Sequence, residues 1–156
     1  MSSDPESLLP VVHRDLVEAL EGEATGAGVD SEAWKVMVAN AIGDGCPRQT
    51  GRTLGERYAQ SVVGRALMVS LELIPAERVW STVVPLISAR LRRDVKCEWF
   101  PVAAGVGRLV MSGKRVTPPE VTLGCYDFFG EHTRPKSRLE IVDCTETSLV
   151  FEIRWG

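Results

Sequence analysis

The chain has 156 residues, 44% hydrophobic and 25% charged, with a formal net charge of -3. This is the composition of a globular domain able to bury a core, and it excludes a disordered chain. The negative balance excludes nucleic-acid binding driven by bulk positive charge. The longest strongly apolar stretch, Val62 to Leu73, is interrupted by Arg65, Ser70 and Glu72, and a bilayer span needs about 20 apolar residues, so no integral membrane contact is expected.

Met1 to Glu6 carries two acidic residues and no basic ones, unlike a secretory leader. Cys46, Cys97, Cys125 and Cys144 stand far apart with no C-x-x-C pair, which reads as free thiols in a reducing, cytoplasmic compartment.

The first predicted helix runs from Pro5 to Glu21. Ser3 or Asp4 caps it, and Leu9, Val12, Leu16 and Leu20 recur at helical spacing. Gly22 and Thr25-Gly26-Ala27-Gly28 break it. Asp30 and Ser31 cap a short second helix with the stripe Trp34, Val38, Ile42, and Gly43-Asp44-Gly45-Cys46-Pro47 ends it. A third helix is predicted from about Thr53 to Leu73. Val62 to Val69 is apolar on nearly every face, the pattern of a central helix covered on several sides, and Gly64 lies in its middle. A fourth begins near Pro75-Ala76-Glu77, with Val79, Val83, Ile87 and Leu91 as its stripe. Pro85 lies inside it, where a kink is expected.

After Asp94 the apolar period changes to two. Val95, Cys97 and Trp99 alternate with Lys96 and Glu98, Gly105 marks a turn, and Val106 to Met111 alternates on the return. Gly113 to Pro119 is a loop. Glu120 to Glu131 reads as a short helix carrying Val121, Cys125, Phe128 and Phe129. A last hairpin joins Ser137–Cys144, through Thr145-Glu146-Thr147, to a strand with Leu149, Phe151, Ile153 and Trp155 facing in. Helices followed by ββαββ predict an α+β fold, with the helices on one face of an antiparallel sheet. No repeat or linker divides residues 1–156, so one domain is expected.

Leu54-Gly55-Glu56-Arg57-Tyr58, with Val63-Gly64-Arg65-Ala66 and the closing Arg154-Trp155, resembles a myxobacterial paralogous family of uncharacterised proteins. The resemblance covers Trp34 to Trp155. The chain departs from that family in having Ile74-Pro75 where it usually has Gly-Pro, and Arg92 to Lys96 where it has an asparagine-rich loop. The order of elements is also similar to a broader group. It includes vinyl-four-reductase-like domains, haem-nitric-oxide-binding sensor domains, the sensor domains of aromatic-responsive transcription activators, and TRAPP vesicle-tethering subunits. That resemblance implies a non-catalytic domain that dimerises and often holds an apolar ligand or acyl chain between helices and sheet. A shared fold does not by itself carry a function.

Some of those relatives carry haem, whose usual proximal ligand is a helix-borne histidine. Only His13 and His132 are present, and His13 sits beside the apolar stripe, so no haem is expected. No zinc is expected either, because Cys125 and His132 are seven apart and the remaining cysteines are remote. Cys125 with His132 and Asp127 has the residue types of a cysteine nucleophile but no signature, and the neighbouring Tyr126, Phe128 and Phe129 read as core. Gly43-x-Gly45 and Gly105-x-Gly107 are turns rather than phosphate loops, so the chain is not expected to be an enzyme. Basic clusters (Arg90, Arg92, Arg93, Lys96; Lys114, Arg115; Arg134, Lys136, Arg138) read as solvated faces, or as contacts for an acidic partner or anionic headgroup.

Arg65, amid Val62, Ala66 and Val69, is expected to be buried and therefore paired. Its partner would be Glu56, Glu72, Glu140 or Glu152; alternatively it clamps an anion at a pocket floor. The expectation is a non-catalytic sensory or adaptor domain. It would be a homodimer or pair with a related subunit, and a possible apolar small-molecule or acyl-chain pocket would lie between the third helix and the sheet. Gly64, Arg65, Met68, Cys125 and Phe128 are the expected ligand-binding residues. The rivals are a pure protein-interaction subunit with a filled core and a small cysteine-dependent enzyme. A cavity of roughly 300 Å³ beside Gly64 separates the first two.

Overall fold

A computed structural model describes residues 36, 38–40, 42–43, 45–91, 95–113 and 117–156. The helix predicted over Pro5–Glu21, with His13, and Trp34 of the second stripe lie outside the described residues. Of that second helix, residues 36, 38–40 and 42 are helical; Val38 is buried and Ile42 half-buried.

Helix α1 (Pro47–Tyr58) starts on proline, whose missing N–H is not needed in a first turn. Helix α2 follows over Val62–Leu73. The single helix expected from Thr53 to Leu73 is therefore two. The chain turns at Ala59-Gln60-Ser61, where Ser61 Oγ donates to the Tyr58 carbonyl (2.6 Å) and accepts from the Gly64 N–H (3.0 Å). That cap satisfies both ends of the corner at once. Gly64 is required there, since a Cβ would collide with the Tyr58 carbonyl and the Ala59 backbone.

The corner also changes what α2 covers. Leu67 and Leu71 point inward, but Val62, Ala66, Val69 and Leu73 are exposed, and so is Arg65. The expectation that Arg65 is buried inside an all-round apolar helix is corrected: α2 packs on one face only. Glu152, one suggested partner, instead lies between Arg108 (3.5 Å) and Arg154 on the outer sheet face.

Helix α3 (Ala76–Arg78) runs directly into a π turn over Val79–Val83 and then α4 (Val84–Leu91). The irregularity demanded by Pro85 is taken up in that wider turn, which precedes the proline and relieves its clash with the preceding carbonyl. Trp80, on the π turn, is fully buried and donates Nε1–H to Ser137 Oγ at 2.9 Å.

Strands β1 (Val95–Ala103) and β2 (Val106–Gly113) precede helix α5 (Pro119–Gly130), and β3 (Ser137–Cys144) and β4 (Ser148–Trp155) close the described chain. The sheet is antiparallel throughout, in the order β1-β2-β4-β3. Trp99, Leu109, Phe151 and Ile141 stand in register as one row across it, and Leu109 and Phe151 are fully buried beneath the helices. Gly107 leaves room for the Trp99 indole, which would otherwise meet a Cβ, and Trp155 packs beside it at 5.8 Å.

Helices α1 and α5 pack almost backbone to backbone. A Cβ on Gly51 would strike the Val121 carbonyl, and one on Gly124 would strike the carbonyl of Arg48. Arg52 closes the same contact at the surface, reaching Glu131 with hydrogen bonds of 2.8 and 2.5 Å while lying 5.8 Å over the Phe128 ring.

Candidate functional site

Because glycines draw α1 and α5 together and the cap turns α2 away, five helical segments meet around a small void. Its volume is about 70 Å³. Leu54 and Tyr58 come from α1, Leu67 and Leu71 from α2, Trp80 from the π turn, Val84 and Ser88 from α4, and Cys125, Tyr126 and Phe129 from α5. No strand contributes to it, so among the described residues this cavity lies within the helical layer rather than between α2 and the sheet. It is also well below the ~300 Å³ typical of small-molecule pockets.

The lining is almost wholly apolar. Ser88 Oγ and Tyr126 Oη are hydrogen-bonded to each other at 3.1 Å, and burial pushes the phenol pKa up. Burial also pushes the Cys125 thiol up to about 12 and the nearby Cys97 thiol up to about 11. Both are therefore neutral at pH 7, and neither is a nucleophile. His132 donates its Nδ1–H to the Phe128 carbonyl (2.9 Å), and its ring is exposed beside Phe128, outside the cavity that Cys125 lines.

Of the expected ligand-binding residues, Cys125 alone lines this cavity. Gly64 faces the α1–α2 corner, and Arg65 is exposed. Phe128 packs against Phe129 and His132. Met68 lines a separate, open polar cleft of about 370 Å³ with Glu72, Glu131, His132, Thr133, Arg134 and Lys136. The sequence marks Val79 and Ile87 as apolar stripe residues, but their meeting with Leu54 and Tyr58 depends on the α1–α2 corner. Among the described residues no cluster of His, Cys, Asp or Glu could hold a metal ion, and no helix is long and apolar enough to cross a membrane.

No family model matches the chain, and no curated protein matches it. Solved structures do. An H-NOX domain studied for the mechanism of H-NOX activation superposes with a TM-score of 0.65 at 12% identity, covering 100% of this chain and 97% of that one. An oxygen-binding H-NOX domain related to soluble guanylate cyclases gives 0.57 at 13% identity, covering 100% and 95%. A mutant of the T. Tengcongensis H-NOX gives 0.52 at 12% identity, covering 96% of each chain. The chain shares the fold of H-NOX domains.

One of the H-NOX structures was used to probe the function of haem distortion, so the fit of a haem to this chain can be tested on its own residues. The described residues do not fit it. The cavity is far smaller than a porphyrin, no histidine lines it, and its Cys125 thiol is held protonated. His132 lies outside the cavity and is held to Phe128.

Proposed function

We propose that this chain is a non-catalytic sensory module whose helical layer takes up a small, uncharged, apolar guest. The observation that carries the reading is the apolar cavity of about 70 Å³ walled by Leu67, Leu71, Val84, Cys125 and Phe129, in a fold shared with H-NOX domains. Apolar cavities of this kind stay empty of water, because water needs two to four polar partners, and they admit xenon-sized guests. A diatomic gas or a fragment of a few carbon atoms matches the space; a drug-sized molecule or a full acyl chain does not. The signal would leave through a protein partner, since a neutral, unactivated thiol and a tethered histidine supply no chemistry of their own. Residues 1–156 would form one domain, in the cytoplasm, and the Leu54–Tyr58 and Val63–Ala66 motifs would make it a relative of the myxobacterial family they resemble.

Thermal unfolding with small apolar solutes tests this reading. At guest concentrations tenfold above Kd the midpoint should rise by about 3–6 °C. Cys125→Met, which fills the space with a flexible side chain, should lose the rise while keeping its own stability. A wild type indifferent to every such guest would overturn the reading.

A further inference from the structure

The outward face of α2 has no counterpart in the cavity or the core. Val62 is 82% exposed, Val69 57% and Leu73 78%, and Ala66 between them is exposed too. At about 100° per residue these four fall within roughly 60° of one another, on the side of the helix away from the buried Leu67 and Leu71. The spacing of four, three and four residues is that of a coiled-coil seam. Arg65 and Glu72, both exposed, lie on the same flank of the stripe. Seven residues separate them, about 10.5 Å of helix, too far for a pair within one helix.

We infer that the α2 face of this chain binds a second copy of itself, antiparallel about a two-fold axis. In that arrangement Ala66 layers against Val69 of the second copy and Val62 against its Leu73. The same register brings Arg65 opposite Glu72 of the second copy, and the symmetry forms that pair twice. A parallel pairing would put the two Arg65/Glu72 flanks on opposite sides of the seam and leave neither charge opposite the other, so the charge pattern favours the antiparallel one. The inference stands apart from the cavity: the face is there whether or not a guest binds. One seam of three turns is small beside the ~800 Å² per partner of a stable interface, so association in the micromolar range is expected.

Sedimentation equilibrium of the purified full chain tests it, with far-UV circular dichroism confirming that each variant is folded. The wild type should dimerise, and Val69→Asp should leave only monomer. Arg65→Glu and Glu72→Arg should each weaken the dimer by about three- to tenfold, and the double swap Arg65→Glu/Glu72→Arg should return it to wild-type strength. A wild type that is monomeric at its solubility limit, as when residues 1–35 of the same chain cover the stripe, overturns the inference. So does a dimer that survives Val69→Asp, or single swaps that the double swap fails to rescue.

Discussion

Cys125 and Cys97 show how burial alone sets chemistry in this protein. Both thiols are pushed above their ordinary range by desolvation, to about 12 and about 11, whereas Cys46 and Cys144 lie at the surface. A disulfide-exchange reagent at pH 8 should therefore modify Cys46 and Cys144 quickly and the other two only after unfolding; fast modification of Cys125 would mean the helical layer opens readily. Gly64 makes the corresponding steric point. Its hydrogen occupies the only space the Tyr58 carbonyl leaves, so Gly64→Leu should cost about 1–3 kcal/mol or more in urea unfolding, as overpacking does. A variant of unchanged stability would contradict the close approach of Gly64 to the Tyr58 carbonyl.

At the level of elements, α1 and α5 are held by bare backbone contact inside and by Arg52 with Glu131 outside. The hydrogen bond from Arg52 holds the Glu131 carboxyl below the usual carboxylate range. Its folded-state pKa is thus lower than its unfolded one, so the pair stabilises the fold above the unfolded carboxylate pKa. That contribution fades as pH falls through the depressed value. Arg52→Gln should flatten this acid limb of the stability curve; the change at pH 7 should be small, because the pair is largely solvated. The strands were fully legible in the sequence, since a half-buried strand writes its period of two directly into Leu149, Phe151, Ile153 and Trp155. Helix α5 was legible from Glu120 onward, but Pro119, read as the end of the preceding loop, opens it. The break after Tyr58 was not, because Ala59-Gln60-Ser61 contains no glycine or proline and its stop is a serine cap that depends on three-dimensional closure. The apolar run Val62–Val69 likewise could not say which face of α2 is buried: when every face is apolar, periodicity carries no direction. The burial expected of Arg65 failed for that reason, and the position of the cavity was hidden with it.

For the molecule as a whole, the sheet supplies one layer and the helices, which enclose the cavity, the other. The row Trp99–Leu109–Phe151–Ile141 fixes the helix-facing side, while Arg108, Glu152 and Arg154 form a charged outer face. The order of elements read from the sequence, helices and then ββαββ, is the order the structure has, and it is shared with H-NOX domains. The space left between its helices is about 70 Å³. Methyl NMR spectra recorded with and without dissolved xenon test that point most directly. The account predicts shifts confined to Leu54, Leu67, Leu71, Val79, Val84 and Ile87, saturating with xenon pressure in the wild type and absent from Cys125→Met. Shifts of equal size in both proteins, or none in either, would contradict it.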